Sequence, residues 1–381
     1  VDFERTEEQD GFAKVVRDFA EHEIAPRAEA WDRDGTFPAD VVRAMGELGL
    51  FGLPFAQEYG GSDADFTTLC LAIEEIARVD SSMAITLEAG VGLGAAPIAR
   101  FGTDEQRTRW LPDLCAGRRL AAFGLTEPDA GSDAGAMRTR ATLDGDEWVI
   151  DGAKAFITNS GTPMTSLITV AARTGRDEIS CIVVPAGTAG LEVGVAYRKM
   201  GWHASDTHPL TLAGCRVPAD HLLGERGGGL RQFLTILDDG RIAIAALAVG
   251  VAQACLEHSV RYAGERVAFG KPIGANQGVA FRCADVAVMV ESARLLTYKA
   301  AWLKDMGRPY KQAAAMAKLH ATEAAVDATR HATQVFGGSG FLDETPVSRF
   351  YRDAKVLEIG EGTSEIQRLV IGRGLGLPVG S

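Results

Sequence analysis

Apolar positions in the first 120 or so residues recur at helical spacing. Phe12, Val15, Val16 and Phe19 step by three and four behind acidic residues, the charge a helix N-terminus favours. Pro38 opens a second helix carrying Val41, Val42, Met45 and Leu48, and Gly49 closes it. The same period continues through 67–79 and 81–88. Beyond residue 120 the pattern shortens. Segments 139–143 and 148–150 flank the turn Asp144-Gly145-Asp146-Glu147, and 166–172, 179–185 and 210–217 are further short runs between Gly, Pro and Asp. Strands this short, with no helices between them, predict a small antiparallel barrel or sandwich. Glu225-Arg226-Gly227-Gly228-Gly229 is its natural exit. Helical spacing then returns at Cys283, Val286, Val290, Ala293, Leu296, Ala300 and Leu303. Gly307-Arg308-Pro309 ends that helix, an alanine-rich helix runs from Lys311 to Phe336, and a last one starts at Ser364 with Thr363 or Ser364 as its cap. The pattern predicts an α+β chain of three domains: helical over 1–120, a β domain over 121–227, and a four-helix bundle over 228–381.

Composition changes this picture little. With 46% hydrophobic and 24% charged residues the chain is globular, and 381 residues exceed one core. A net charge of -12 argues against a general nucleic-acid or acidic-membrane partner, while leaving room for a small anion held by local arginines. Six cysteines without a C-x-x-C pair are expected as buried thiols in a reducing compartment, and seven histidines show no metal-ligand spacing. No uninterrupted apolar run reaches the ~20 residues of a membrane span, and no targeting segment is visible at the charged start Val1-Asp2-Phe3-Glu4-Arg5. A soluble, cytoplasmic protein without a metal is expected.

Four stretches carry candidate chemistry. Glu361 sits between Gly360 and Gly362 ahead of a helix start, a carboxylate on a tight turn where backbone approaches a ligand closely. Phe123-Gly-Leu125-Thr126-Glu-Pro-Asp-Ala-Gly131-Ser132 offers hydroxyls and turn N–H groups to a polar planar ligand. Phe156 and Thr158 would share one face of a strand, pairing a ring with a hydrogen bond. Arg266 and Phe269, with Gln277 beyond, place a guanidinium beside an aromatic at a helix end, which suits a pyrophosphate and an aromatic ring. By contrast, Gly90-Val-Gly92-Leu-Gly94-Ala95 matches a dinucleotide fingerprint only loosely, and close helix packing explains it better.

Taken together, LTEPDAGSD at 125–133, FITN at 156–159, ERVAFGKPI at 265–273, QVFGGSGF at 334–341, RDAK at 352–355 and EGTSEIQR at 361–368 resemble the acyl-CoA dehydrogenase family over essentially the full chain. The resemblance implies FAD-dependent α,β-dehydrogenation of a short- or medium-chain, possibly branched, acyl-CoA to the trans-2-enoyl-CoA, with electrons passed to an electron-transfer flavoprotein by a homotetramer (a dimer of dimers). It implies Glu361 as catalytic base. Phe123, Leu125, Thr126, Gly131, Ser132, Phe156 and Thr158 match the flavin cradle, and Thr363 and Glu365 further cofactor contacts. Arg266, Phe269, Gln277, Gln334 and Gly338 match the grip on a neighbouring subunit's FAD adenosine diphosphate. Asp238, Arg241 and Ser132, with Gly360 and Gly362, match the substrate side. Departures are Gly360 where many members carry Tyr, which would widen the acyl pocket, Phe156 for a frequent Trp, and Ala268 for a frequent Thr or Ser. Gly240 stands where another branch carries its base, so that isovaleryl- and long-chain-type branch is disfavoured. Two rivals remain at this point: an oxidase on the same fold that uses oxygen, and a flavin-free helical scaffold.

Overall fold

The computed structural model describes residues 5–379, so the charged first four residues lie outside the described residues. Helix α1 (Glu7–Phe19) opens on a capping box in which Thr6 and Gln9 satisfy each other's backbone N–H. Its buried stripe runs through Ala13 and Val16, and Val15 turns to solvent. A π-helical turn leads into α2 (Ala25–Asp34), and α3 (Ala39–Glu47) stops at Gly49, whose φ of +80° only glycine adopts cheaply. Helix α4 (Phe66–Ala77) is capped by Asp65 and α5 (Ser81–Glu88) by Asp80. Helix α5 runs on through a π-helical segment, Ala89–Ala95, into α6 (Ala96–Phe101), and α7 (Asp104–Cys115) follows.

The glycine-rich stretch thus follows a helix, not a strand, and the dinucleotide loop is ruled out. A Cβ on Gly90 would lie 2.6 Å from the Phe51 ring, and one on Gly94 2.6 Å from the Ala121 carbonyl oxygen. Close packing is what these glycines permit. Ser81–Phe101 is the one helical run among the described residues long and apolar enough to cross a membrane, and 83% of its most apolar window is buried inside the molecule. It is the core helix around which the N-terminal part packs.

The strands of the main sheet are β1 (Leu120–Gly124), β2 (Arg140–Asp144), β3 (Glu147–Thr158), β4 (Thr165–Arg173), β5 (Ile179–Pro185), β6 (Leu191–Val193), β7 (Thr207–Pro218) and β8 (Leu222–Leu223). They join in one eight-stranded sheet along β6-β7-β3-β2-β4-β5-β8, with β1 beside β4. Pairing is antiparallel except for β1 with β4 and the single β2–β4 contact, which are parallel. No bridge joins β6 to β8 among the described residues, so the path has two ends. Trp148, Ile150, Ile157, Ile168 and Ile182 form this sheet's own small core, apart from the large core that unites the helices.

Helix α8 (Gly229–Glu265), buried on every side from Asp239 to Ala252, packs against α9 (Gln277–Asp305) and α10 (Lys311–Phe336). Its alanines let the neighbours approach closely. Helices α11 (Pro346–Ala354) and α12 (Ser364–Gly374) complete the bundle. The RDAK motif ties the parts together. Asp353 accepts from Ser81 Oγ on α5 and from the Trp202 N–H in the β region, both at 2.6 Å. All six cysteines are unpaired thiols, five of them buried.

Candidate active site

The loop between α11 and α12 is held by its own residues. Thr363 Oγ1 caps α12 by accepting from the Ile366 N–H, which decides between the two candidate caps. Gly362 has φ +95° and needs to be glycine; Gly360 does not, and a Cβ there would touch only the Val356 carbonyl oxygen at 3.5 Å. Glu361 itself is left-handed at φ +52°, a conformation that costs a non-glycine residue ~1–2 kcal/mol. The Gly362 carbonyl accepts from Lys318 Nζ and from Gln367 Nε2, each at 2.8 Å. These bonds fix the strained turn.

From that turn the Glu361 carboxylate reaches into the protein. Both its oxygens are sealed from solvent and neither has a hydrogen-bond donor within the chain. A Cβ on Gly240 of α8 would lie 2.0 Å from Glu361 Oε2 and 3.6 Å from Glu88 Oε1, so the two carboxyls meet across the gap that Gly240 leaves. Glu88, the last residue of α5, is fully buried and equally unpartnered. Burial pushes Glu361 up to about 7, while the Glu88 carboxyl, Lys318 and Arg241 pull it back. Burial and then the facing Glu361 push Glu88 well above the carboxylate range. Two acceptor-only groups this close share a proton. Both carboxyls are raised, Glu88 the further, so the pair holds on to a proton at neutral pH.

The flavin-cradle candidates lie next to this pair. The Thr126 carbonyl on the loop after β1 accepts from the Ala155 N–H of β3 at 2.9 Å, which brings LTEPDAGSD beside FITN. Glu127 braces the junction: it takes 2.6 and 2.9 Å bonds from the Arg138 and Thr139 N–H groups and a 2.9 Å ion pair from the buried Lys154, which also donates to the Leu125 carbonyl. A bulge in β3 gives Phe156 a φ of +60° and turns its ring outward, 66% exposed and 5.1 Å from the Tyr197 ring. Thr158, two residues on, is half-buried, and Gly131 and Ser132 are exposed at the loop rim. Leu125 is buried, and Phe123 packs on Phe233 of α8 with ring centroids 4.4 Å apart. Asn159 Nδ2 donates to the Thr86 carbonyl at 3.3 Å, joining the end of β3 to α5 two residues before Glu88. An exposed aromatic face with hydroxyls and loop backbone at its edge fits a flavin ring.

Other candidates lie elsewhere. Tyr262 stacks on Phe336 at 4.1 Å, gathering the ends of α8 and α10, where Arg266, Phe269, Gln277, Gln334 and Gly338 are all exposed. Along α10, Gln334 is about 24 Å from Lys318 at 1.5 Å per residue, so this group is remote from Glu361. Phe269 has φ +55° and a ring 99% exposed, with nothing in its own chain to cover it. Glu365 is exposed on α12. Asp238 and Arg241 pair with each other, Arg241 buried close to Glu361 and Asp238 approached by Lys311 at 3.8 Å. Sequence reasoning missed Glu88, Lys318 and the Glu127–Lys154 pair. The one signal was a charged residue at an otherwise apolar position in each case: Glu88 ending an apolar helix, Lys318 amid alanines, Lys154 inside a strand.

Three family models match the chain: the acyl-CoA dehydrogenase N-terminal domain over 6–118, the middle domain over 122–215 and the C-terminal domain over 227–376. A probable acyl-CoA dehydrogenase of Bacillus subtilis is 49% identical over 378 residues, covering 98% of this chain and all of that protein. Butyryl-CoA dehydrogenase from Megasphaera elsdenii superposes with a TM-score of 0.96 at 40% identity, over 98% of this chain and all of that one. A chain in a structure of the electron-transferring flavoprotein system of Acidaminococcus fermentans gives a TM-score of 0.96 at 41% identity, over 98% and 99%. A buried carboxylate beside a flavin-shaped face, on a three-part fold matched from end to end, makes this chain a member of the acyl-CoA dehydrogenase family.

Proposed function

We propose that the chain dehydrogenates a short-chain acyl-CoA to the trans-2-enoyl-CoA, with Glu361 removing the α-proton of the thioester. Bound FAD supplies the acceptor for the β-hydride. The observation that carries the reading is the Glu361 carboxylate, sealed from water on a strained loop and facing a second carboxyl, Glu88. A carboxylate of ordinary basicity in water is a poor match for a thioester α-proton, and one raised to about 7 by burial is a better base at neutral pH. The charge that develops at the thioester oxygen needs donors, and the reading assigns one to the Glu361 N–H; losing such a donor typically costs ~3 kcal/mol. Arg241, buried beside the base and paired with Asp238, leaves its Nε–H without a partner and so free to donate toward that charge. Phe123, Leu125, Thr126, Gly131, Ser132, Phe156 and Thr158 hold the flavin, and Thr363 serves it by fixing the loop.

The butyryl-CoA relative supports a short acyl chain. Electron-transfer flavoprotein as acceptor is supported by the Acidaminococcus fermentans structure. The remote, uncovered Phe269 group supports a second copy whose FAD adenosine diphosphate it grips. A homotetramer is further supported by Phe281, Val288, Leu295 and Trp302, an exposed apolar row at heptad spacing along α9. Free thiols support a reducing cytoplasm. The domain limits 1–120, 121–227 and 228–381 belong to the same reading, supported by the change to strand after Cys115 and back to helix at Gly229.

Glu361→Gln tests it. The variant should keep its FAD and bind butyryl-CoA, while anaerobic flavin reduction falls by several orders of magnitude. Reduction near the wild-type rate would place the base elsewhere.

A further inference from the structure

We propose that Lys318 is a positioning residue for the base: its ammonium holds the Gly362 carbonyl and sets a positive charge against the Glu361–Glu88 carboxyl pair. The inference rests on the reading of Glu361 as base.

Lys318 is fully buried in α10, with Ala314, Ala315, Ala317 and Ala321 around it in sequence also buried. Burying an ammonium is costly unless it is paired, and a methionine would fill the same space without that cost. Yet no carboxylate stands within ion-pair distance of Lys318 among the described residues. Its side-chain bond goes to a backbone carbonyl, Gly362, the residue after the base. The lysine is therefore spent on the catalytic loop.

The charged groups facing the base come from each helix packed on it. Helix α5 supplies Glu88, and α8 supplies Arg241, already paired with Asp238, which Lys311 also approaches. Helix α10 supplies Lys318, with Glu323 one turn along it, and Glu358 precedes the loop in sequence. Helix α12 supplies only the neutral Gln367, which shares the Gly362 carbonyl. Lys318 is thus the cation near the base that is not neutralised by a carboxylate of its own. Burial brings it down to about 8, with Glu361 the largest influence holding it up, so it stays charged at neutral pH. That charge favours ionised Glu361 over protonated Glu361. Without it, the pair would keep a second proton to higher pH, and the turn would lose one of its two restraints.

The test compares Lys318→Met, which removes bond and charge, with Lys318→Gln, which keeps a donor and removes the charge. FAD content, kcat/KM for butyryl-CoA against pH, and the infrared band of protonated carboxyls against pH are read for each. Both variants should carry wild-type FAD, with the acid limb of kcat/KM moved up by about one pH unit, a loss of about fivefold at pH 7 that recovers as pH rises. The infrared band should persist to correspondingly higher pH. Lys318→Met should show a further pH-independent loss from the loosened loop. Where Lys318→Met does not fold, Lys318→Gln carries the test. A flavin-loaded variant whose limb and infrared titration stay where the wild type has them overturns the inference, as does a loss equal at every pH. If Glu361→Gln is inactive and the limb does not move, this inference alone falls; if Glu361→Gln is active, the base assignment falls with it.

Discussion

Gly240→Ala adds one methyl group to α8 and is aimed at the base alone. The new Cβ would lie 2.0 Å from Glu361 Oε2 and 3.6 Å from Glu88 Oε1. Restoring ordinary van der Waals separation requires the Glu361 carboxylate to retreat by more than about 1 Å, since the helix backbone cannot. The retreat is hindered, because the Gly362 carbonyl is pinned by Lys318 and Gln367 and Glu361 is already at φ +52°. A misplacement of this size costs on the order of 100-fold in the proton-transfer step, about 2.7 kcal/mol of barrier. The assay is stopped-flow flavin reduction by butyryl-CoA without oxygen, with flavin absorbance and thermal midpoint as controls. FAD content should be unchanged, because the cradle residues lie on β1, β3 and their loops. Reduction at the wild-type rate would refute the contact between the base and α8. A fall in FAD content that matches the fall in rate would refute the claim that the methyl acts on the base.

Two further outcomes are expected. Lys154→Met takes the cation from buried Glu127, which keeps its two N–H bonds, and frees the Leu125 carbonyl, so it should cost about 3 kcal/mol of stability and lose FAD on gel filtration; equal stability and full FAD retention would show the brace to be idle. Val288→Glu places a charge in the exposed row along α9 and should reduce the assembly to a smaller oligomer by light scattering while leaving the single-chain fold intact. An unchanged molar mass would mean that the row lies outside the interface.

Element type was legible wherever the apolar period was long. The alanine-rich helix from Lys311 to Phe336 ends where its glycines predict, and the short strands between 139 and 217 pair into one sheet. Less legible was what depends on tertiary approach. Nothing local indicates that β1 lies parallel to β4, because that pairing follows from the route of the chain between them. Nor does local sequence reveal that α5 runs through a π-helical segment into α6, which the contacts of Gly90 and Gly94 allow. The motif stretches announced Glu361, Phe156 and Arg266, whereas Glu88 and Lys318 lie in helices whose period only says that they face inward. Facing inward explains burial. It does not explain an unpaired carboxyl or ammonium, and only the fold shows that both point at one loop.

Backbone strain marks the same places independently. Among the described residues, six other than glycine have left-handed φ: Asp63, Phe156, Asn159, Trp202, Phe269 and Glu361. Each conformation costs of order 1–3 kcal/mol, and glycine would relieve it. A side chain kept under that cost is needed for what it does. The Asn159 side chain joins β3 to α5, and the Trp202 ring packs against the large core. Phe156, Phe269 and Glu361 are different: two rings turned to solvent, one of them against Tyr197 alone, and a carboxylate that faces only another carboxyl, Glu88. Their strain has no structural return inside one subunit. On the proposed function it is returned when ligands arrive: a flavin ring against Phe156, a second subunit's nucleotide against Phe269, and a thioester α-proton at Glu361. On this argument the three positions should tolerate glycine with a gain in the stability of the isolated chain and a loss of ligand binding or turnover, the opposite of what a structural residue does.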